Sequence, residues 1–177
     1  RSVRFIPLET NENLLMEYVY NVFQRGDKLL VQDRTRVLVF DMNGKYLYDI
    51  GSLGEGPTEF VSMGNITLHN DLIYISEFRN RIKAYDWEGN FVKKLVLPAK
   101  AYGLITLPGK EEMLAYVANP SGEETIRFYH LRGEQVLDSI PNPFIYPKKQ
   151  GSIVMSFRPD LMLSQGSLTA FIELNSD

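Results

Sequence analysis

The chain has 177 residues, 44% of them hydrophobic and 23% charged, with 19 Lys and Arg against 22 Asp and Glu for a net charge of −3. This apolar fraction, with 10 Phe, 10 Tyr and 1 Trp, excludes a wholly disordered polypeptide, and the near-neutral balance leaves no electrostatic footprint for nucleic acid or an anionic membrane. The absence of cysteine excludes a disulfide scaffold, an iron–sulfur site and a thiol nucleophile.

The N-terminus from Arg1 to Phe5 lacks the apolar stretch of a signal peptide, and no apolar run reaches the roughly 18–20 residues that span a bilayer. No membrane insertion of this segment is expected; an export signal removed beforehand is compatible with it. Residues 11–18 come nearest to a helical period, but Val19, Tyr20, Asn21, Val22 and Phe23 read better as strand.

From residue 29 the chain repeats. Residues 29–33 and 36–47 lie over 73–77 and 81–92, and a more worn copy follows at 125–136, with His130 in the place of Asp41 and Asp86. The marker glycines Gly44, Gly89 and Gly133 stand about 45 residues apart, within the range of propeller blades. Val37, Leu38, Val39 and Phe40, like Ile82, Lys83, Ala84 and Tyr85, are short β-branched and aromatic runs, which form strands. Between strands, 41–44 and 86–89 are hairpin turns in which aspartate accepts from the backbone two residues on and glycine supplies positive φ.

The second copy divides into four expected strands at about 62–68, 72–76, 81–86 and 90–97. Four antiparallel strands per unit predict an all-β fold, a β-propeller with four-stranded blades at about 14–51, 60–98 and 100–141 and an incomplete one at 150–177. Three to four blades make a partial ring, so association through open blade edges is expected unless further blades cover them.

Residues 51–60 read Gly-Ser-Leu-Gly-Glu-Gly-Pro-Thr-Glu-Phe, and 77–89 read Glu-Phe-Arg-Asn-Arg-Ile-Lys-Ala-Tyr-Asp-Trp-Glu-Gly. Together they resemble the NHL-type β-propeller repeat. With the opening at residues 3–10, the chain is similar to the six-bladed propeller proteins of Bacteroides-type gut bacteria. That resemblance implies a six-bladed ring and an exported, periplasmic or cell-surface lipoprotein.

The glycine-rich segment 51–56 lacks the Gly-Lys-Ser/Thr of a phosphate loop and leads to a strand, so it is expected to connect blades, with Phe60 buried between them. His69 and His130 are expected at the surface, and no metal or cofactor site is assigned. The pairs Glu111–Glu112 and Glu123–Glu124 are expected in solvated loops, because neighbours on a strand face opposite ways and make no glycosidase dyad. No catalytic residue is assigned.

Loops between second and third strands, and connectors from a fourth strand to the next first strand, emerge at one end of a propeller. Arg34, Glu55, Phe78 and Arg79 on those loops are the candidate ligand-binding residues. Asp33 with Arg36 and Glu77 with Arg81 are expected ion pairs holding the loops. The function expected is a non-catalytic binding or protein-interaction scaffold for a protein or carbohydrate ligand. The alternative is a propeller lyase or hydrolase with its site near the central channel.

Overall fold

The structure, a computed structural model, describes residues 3–77, 79–107, 110–117, 123–143 and 145, and the backbone of two further strands at Leu161–Ser164 and Ser167–Ala170. Three four-stranded antiparallel sheets follow one another along the chain, and no helix occurs among the described residues. The first sheet is β1 (Asn21–Arg25), β2 (Lys28–Gln32), β3 (Val37–Asp41) and β4 (Tyr46–Asp49). The second is β5 (Ile66–His69), β6 (Leu72–Ser76), β7 (Arg81–Tyr85) and β8 (Phe91–Val96). The third is β9 (Ala101–Thr106), β10 (Glu112–Val117), β11 (Ile126–Arg132) and β12 (Gln135–Pro141). In each sheet the spatial order follows the chain, and β13 (Leu161–Ser164) pairs with β14 (Ser167–Ala170) as a separate hairpin.

The second strand of the hydrophobic pattern in each copy is buried on both faces, which is why these runs are continuous rather than alternating. Leu30, Val37, Val39 and Ile50 of the first sheet meet Ile66, Ile73, Ile75, Tyr85 and Trp87 of the second. The opposite face of the second sheet, with Tyr74, Ile82, Ala84 and Leu95, meets Leu104, Met113, Ala115, Val117 and Leu131 of the third. The second sheet therefore stacks face to face with both of the others, giving one face to each. β9 lies against β5 and β6, and Thr67 Oγ1 donates to Leu104 O at 3.0 Å.

The hairpin turns form as the sequence predicts. Asp41 Oδ1 accepts from the amides of Asn43 (2.8 Å) and Lys45 (2.9 Å), and Asp86 Oδ1 from those of Glu88 (3.0 Å) and Asn90 (2.8 Å). The amides of Lys45 and Asn43 hold the Asp41 carboxyl below its ordinary range. Burial pushes Asp86 up, yet hydrogen bonds from Asn90, Glu88 and Gly89 outweigh it and keep that carboxyl low as well. Beside each turn the ladder slips by a residue, between Val39 and Phe40 and between Ala84 and Tyr85. Gly44 sits at φ +82°, and a side chain there would run into the Pro7 carbonyl. Replacing Gly44 by valine is expected to cost more than about 1 kcal/mol from the backbone conformation alone. Chemical denaturation checks this, and an unchanged midpoint would contradict the hairpin.

One strand differs from expectation. β5 begins at Ile66 rather than near residue 62, because Gly64 and Asn65 bond to Ser76 outside a regular ladder: Gly64 N–H donates to Ser76 O at 2.6 Å, and Ser76 N–H to Asn65 O at 3.0 Å.

Candidate functional site

The connector 51–60 is built around Glu59. Its carboxylate accepts from Gly56 N–H at 2.8 Å, and a Cβ on Gly54 would occupy the place of that carboxylate, which explains the glycine spacing in chemical terms. Phe60 N–H donates to Ser52 O (3.0 Å), Gly54 N–H donates to Phe60 O (3.0 Å), and the Phe60 ring is buried between the first two sheets, edge-on to Tyr85. The segment is the blade-to-blade connector its sequence predicts.

The second sheet grips this connector through its third strand. Lys83 donates to the Glu59 carbonyl, and Tyr85 OH donates to Thr58 O at 2.7 Å. The Val61 amide donates to Glu77 Oε1 at 3.0 Å, which puts the end of the connector and the loop after β6 at the same end of the sheet. Glu77 is fully buried; Arg81 Nε lies 2.9 Å from Oε2 as an ion pair without hydrogen-bond alignment, and Lys83 Nζ is 3.9 Å from Oε1. Burial pushes the Lys83 ammonium down against the opposing pull of Glu77. Asn80 fastens the same loop to the end of β8, its side chain donating to Leu97 O (3.0 Å) and its carbonyl accepting from Leu97 N–H (2.8 Å). The Asn-Arg pair of the repeat is thus a loop-holding device.

The first sheet does this differently. Asp33 is buried and accepts from Tyr18 N–H at 2.9 Å, and no Asp33–Arg36 ion pair forms. Arg36 turns instead to Asp49 on β4, with Nε to Oδ2 at 2.9 Å, and donates to Asn13 O at 2.8 Å. Thr35 replaces the loop-holding asparagine, so the arginine is recruited to the outer strand.

Arg34, Glu55 and Arg79 are exposed. Arg34 reaches only Glu17, at 3.4 Å between two well-exposed side chains, worth under about 1 kcal/mol. Among the described residues no hydrogen bond or ion pair joins Arg34, Glu55 and Arg79 to one another. Phe78 and the 118–122 part of the third loop lie outside the described residues.

Sequence reasoning missed the polar side chains that join neighbouring sheets. Gln32 ends β2 and donates to Gly64 O at 2.8 Å; Ser76 ends β6 and its hydroxyl lies 3.3 Å from Tyr102 O. Both are buried and occupy one repeat position, so a buried polar residue ending a hydrophobic strand was the available signal.

The histidines are half-buried rather than at the surface. His130 Nε2 lies 2.9 Å from Glu112 Oε2, and Arg132 and His130 together hold the Glu112 carboxyl low. Glu112 opens β10 and belongs to this cluster, not to a solvated loop, because β11 places Arg132 directly opposite it and His130, opposite Leu114, on the diagonal. His69 lines an open groove of about 360 Å³ with Leu68, Asn70, Thr106, Lys110 and Glu111. No three metal-ligating side chains converge among the described residues.

Burial pushes the Tyr85 phenol far above the ordinary tyrosine value, and Tyr46, Tyr74 and Tyr129 in the same direction. A raised pKa means the folded state keeps protons that the unfolded chain releases, so stability falls as pH rises past about 10. Absorbance titration is expected to show these four tyrosines ionising late, together with unfolding. A single step for all tyrosines near pH 10 would contradict their burial.

A domain of unknown function, DUF4934, matches residues 1–177. The chain belongs to that family. The DUF4934 fold is similar to a protein of Bacteroides fragilis whose name describes it as exported, at 19% identity and a TM-score of 0.67, over 80% of this chain and 42% of that one. The computationally designed Ika4 protein is matched at 11% identity and a TM-score of 0.53, over 97% and 98% of the two chains. The WD40 domain of Neurospora crassa Pan2 is matched at 12% identity and a TM-score of 0.47, over 69% and 35%. The DUF4934 chain thus spans less than half the length of the Bacteroides protein. No curated protein matches it. Likeness at these identities concerns fold, and the fold is all-β and propeller-like.

Proposed function

We propose that the DUF4934 chain is part of a non-catalytic binding scaffold, a six-bladed ring of NHL type on an exported lipoprotein, with a protein or carbohydrate as its ligand. The observation that carries this reading is a division of labour at one end of the sheets. Glu77, Lys83, Asp33, Asn80 and Glu59 are consumed in fixing loops and connector, whereas Arg34, Glu55 and Arg79 stand exposed on that fixed frame. Charged and amide-bearing groups on rigid loops are the usual means of recognising a polar partner. Phe78, beside Arg79, would add the aromatic surface on which a sugar ring stacks.

The test is a glycan array and a panel of purified extracellular proteins, probed with the wild-type chain and with the triple variant Arg34→Ala, Glu55→Ala, Arg79→Ala. Binding by the wild type that falls at least about tenfold in the variant, with unchanged thermal stability, is the expected result. Equal binding by the two proteins would move the site elsewhere. Chemical turnover of a bound polysaccharide would replace the scaffold with a lyase or hydrolase.

A further inference from the structure

The turns at the other end of the sheets, away from Arg34, Glu55 and Arg79, differ in how they meet their neighbours. β1–β2 and β5–β6 are two-residue hairpins in the same register, with Arg25 paired to Lys28 and His69 to Leu72, so Arg25 and His69 hold one repeat position and Gly26 and Asn70 the next. Arg25 reaches across to the second sheet. Its guanidinium donates to Asp71 Oδ1 and lies 5.3 Å from the centre of the Trp87 ring, which closes the cleft between the first two sheets at this end. His69 makes no such bridge to the third sheet: its Nε2 is buried and has no hydrogen-bond partner among the described residues.

On that side the third copy has a longer connection, 107–111, in place of a two-residue turn, and the cleft is the open groove of about 360 Å³. His69 and Asn70 line it from the second sheet, and Thr106, Lys110 and Glu111 from the third. Leu68 and Leu107 give it apolar surface. Among the described residues the side chains of Asn70, Thr106, Lys110 and Glu111 make no hydrogen bond or ion pair. Asn70 holds a φ of +46° where the first copy has Gly26 at +57°. Glycine takes this backbone without steric cost, so the asparagine adds an amide to the groove at a position that does not require a side chain. Arg25 also fixes Asp71, the next residue, and so holds the turn that carries Asn70.

We propose that this groove is a second binding site and takes a single neutral sugar residue. Its volume lies toward the lower end of the range of about 300–1,000 Å³ for small-ligand sites, which suits one ring. The charges of Lys110 and Glu111 balance, so neither an anion nor a cation is favoured. The Asn70 amide and the Thr106 hydroxyl both donate and accept, Lys110 donates and Glu111 accepts, which matches a ligand whose every hydroxyl does both. Leu68 and Leu107 meet the C–H face of the ring, and a ring hydroxyl supplies the partner that His69 Nε2 lacks. The site is made of two sheets that pack against each other, needs no further blade, and is independent of the reading of Arg34, Glu55 and Arg79.

The test is a titration of the chain 1–177 with the methyl glycosides of glucose, galactose, mannose and N-acetylglucosamine, followed by the nuclear magnetic resonances of the His69 ring and of the Asn70 and Lys110 amides. Saturable shifts with at least one glycoside are expected, with an affinity that falls at least about tenfold in Asn70→Gly, a variant that keeps the turn by taking the residue of the first copy. The same shifts are expected in the triple variant Arg34→Ala, Glu55→Ala, Arg79→Ala, whatever that variant does to binding at the opposite end. No saturable shift with any of the four glycosides would overturn the proposal, as would an affinity unchanged in Asn70→Gly. Shifts produced by sodium acetate and by none of the glycosides would overturn it by making the groove an anion site. Shifts lost in the triple variant would overturn it by placing the sugar at the other end of the sheets.

Discussion

Replacing Phe60 by alanine is expected to destabilise the DUF4934 chain by about 3–5 kcal/mol, the cost of emptying a fully enclosed aromatic site. The ring is 1% exposed and lies against Tyr85 at a centroid distance of 6.4 Å, with Ile50, Ile66 and Trp87 in the same cluster. Its backbone is also fixed, by bonds through its own amide and carbonyl to Ser52 and Gly54, so the connector cannot collapse into the hole. In a protein of this size each kcal/mol shifts the melting temperature by about 2–4 °C, which predicts a loss of about 6–20 °C. Phe60→Leu, which refills most of the volume, should recover much of it. A melting temperature unchanged in Phe60→Ala would mean that the first two sheets do not close on this residue.

Removing the Glu77 carboxylate is expected to be comparably damaging, at about 3–5 kcal/mol for Glu77→Ala, because it breaks a buried pair and strands its partners. Val61 N–H loses its acceptor, and the Lys83 ammonium, with 4% side-chain exposure, keeps only the Glu59 carbonyl. The pH dependence has a definite sign. The folded state already holds Lys83 below the ordinary lysine value, through burial, so the unfolded chain binds more protons there and stability rises with pH toward about 10. Glu77 opposes that shift; without it the folded value drops further, and the rise begins at lower pH and is steeper. Denaturation of wild type and Glu77→Ala at a series of pH values between neutral and about 9 reads this directly. Parallel curves would show that Glu77 does not act on the protonation of Lys83.

Much of this fold is legible in the residues, for identifiable reasons. The runs at 37–40 and 82–85 are buried on both faces, and all but Lys83 are apolar or aromatic for that reason, while the Asp-to-Gly turns write their own geometry through the aspartate carboxylate and the positive φ of Gly44 and Gly89. The connector is legible because Gly54 leaves room for Glu59. What the sequence conceals is pairing among charges several residues apart. Arg36 has Asp33 three residues away and Asp49 on a strand still to be placed, and only the β3–β4 register shows that Asp49 wins. Glu112 looks like half of a surface pair until β10 and β11 set it opposite Arg132 and diagonal to His130. Of the candidate site, the loops were readable and the partners of their side chains were not.

The most direct test of the account is a crystal structure of the longest natural form of the protein, with metal analysis of the same sample. It predicts a closed ring of four-stranded blades with Arg34, Glu55 and Arg79 exposed at one end, on loops and a connector held by Asp33, Glu59, Glu77 and Asn80. An open arc, or a metal held by side chains converging on the axis, would contradict it.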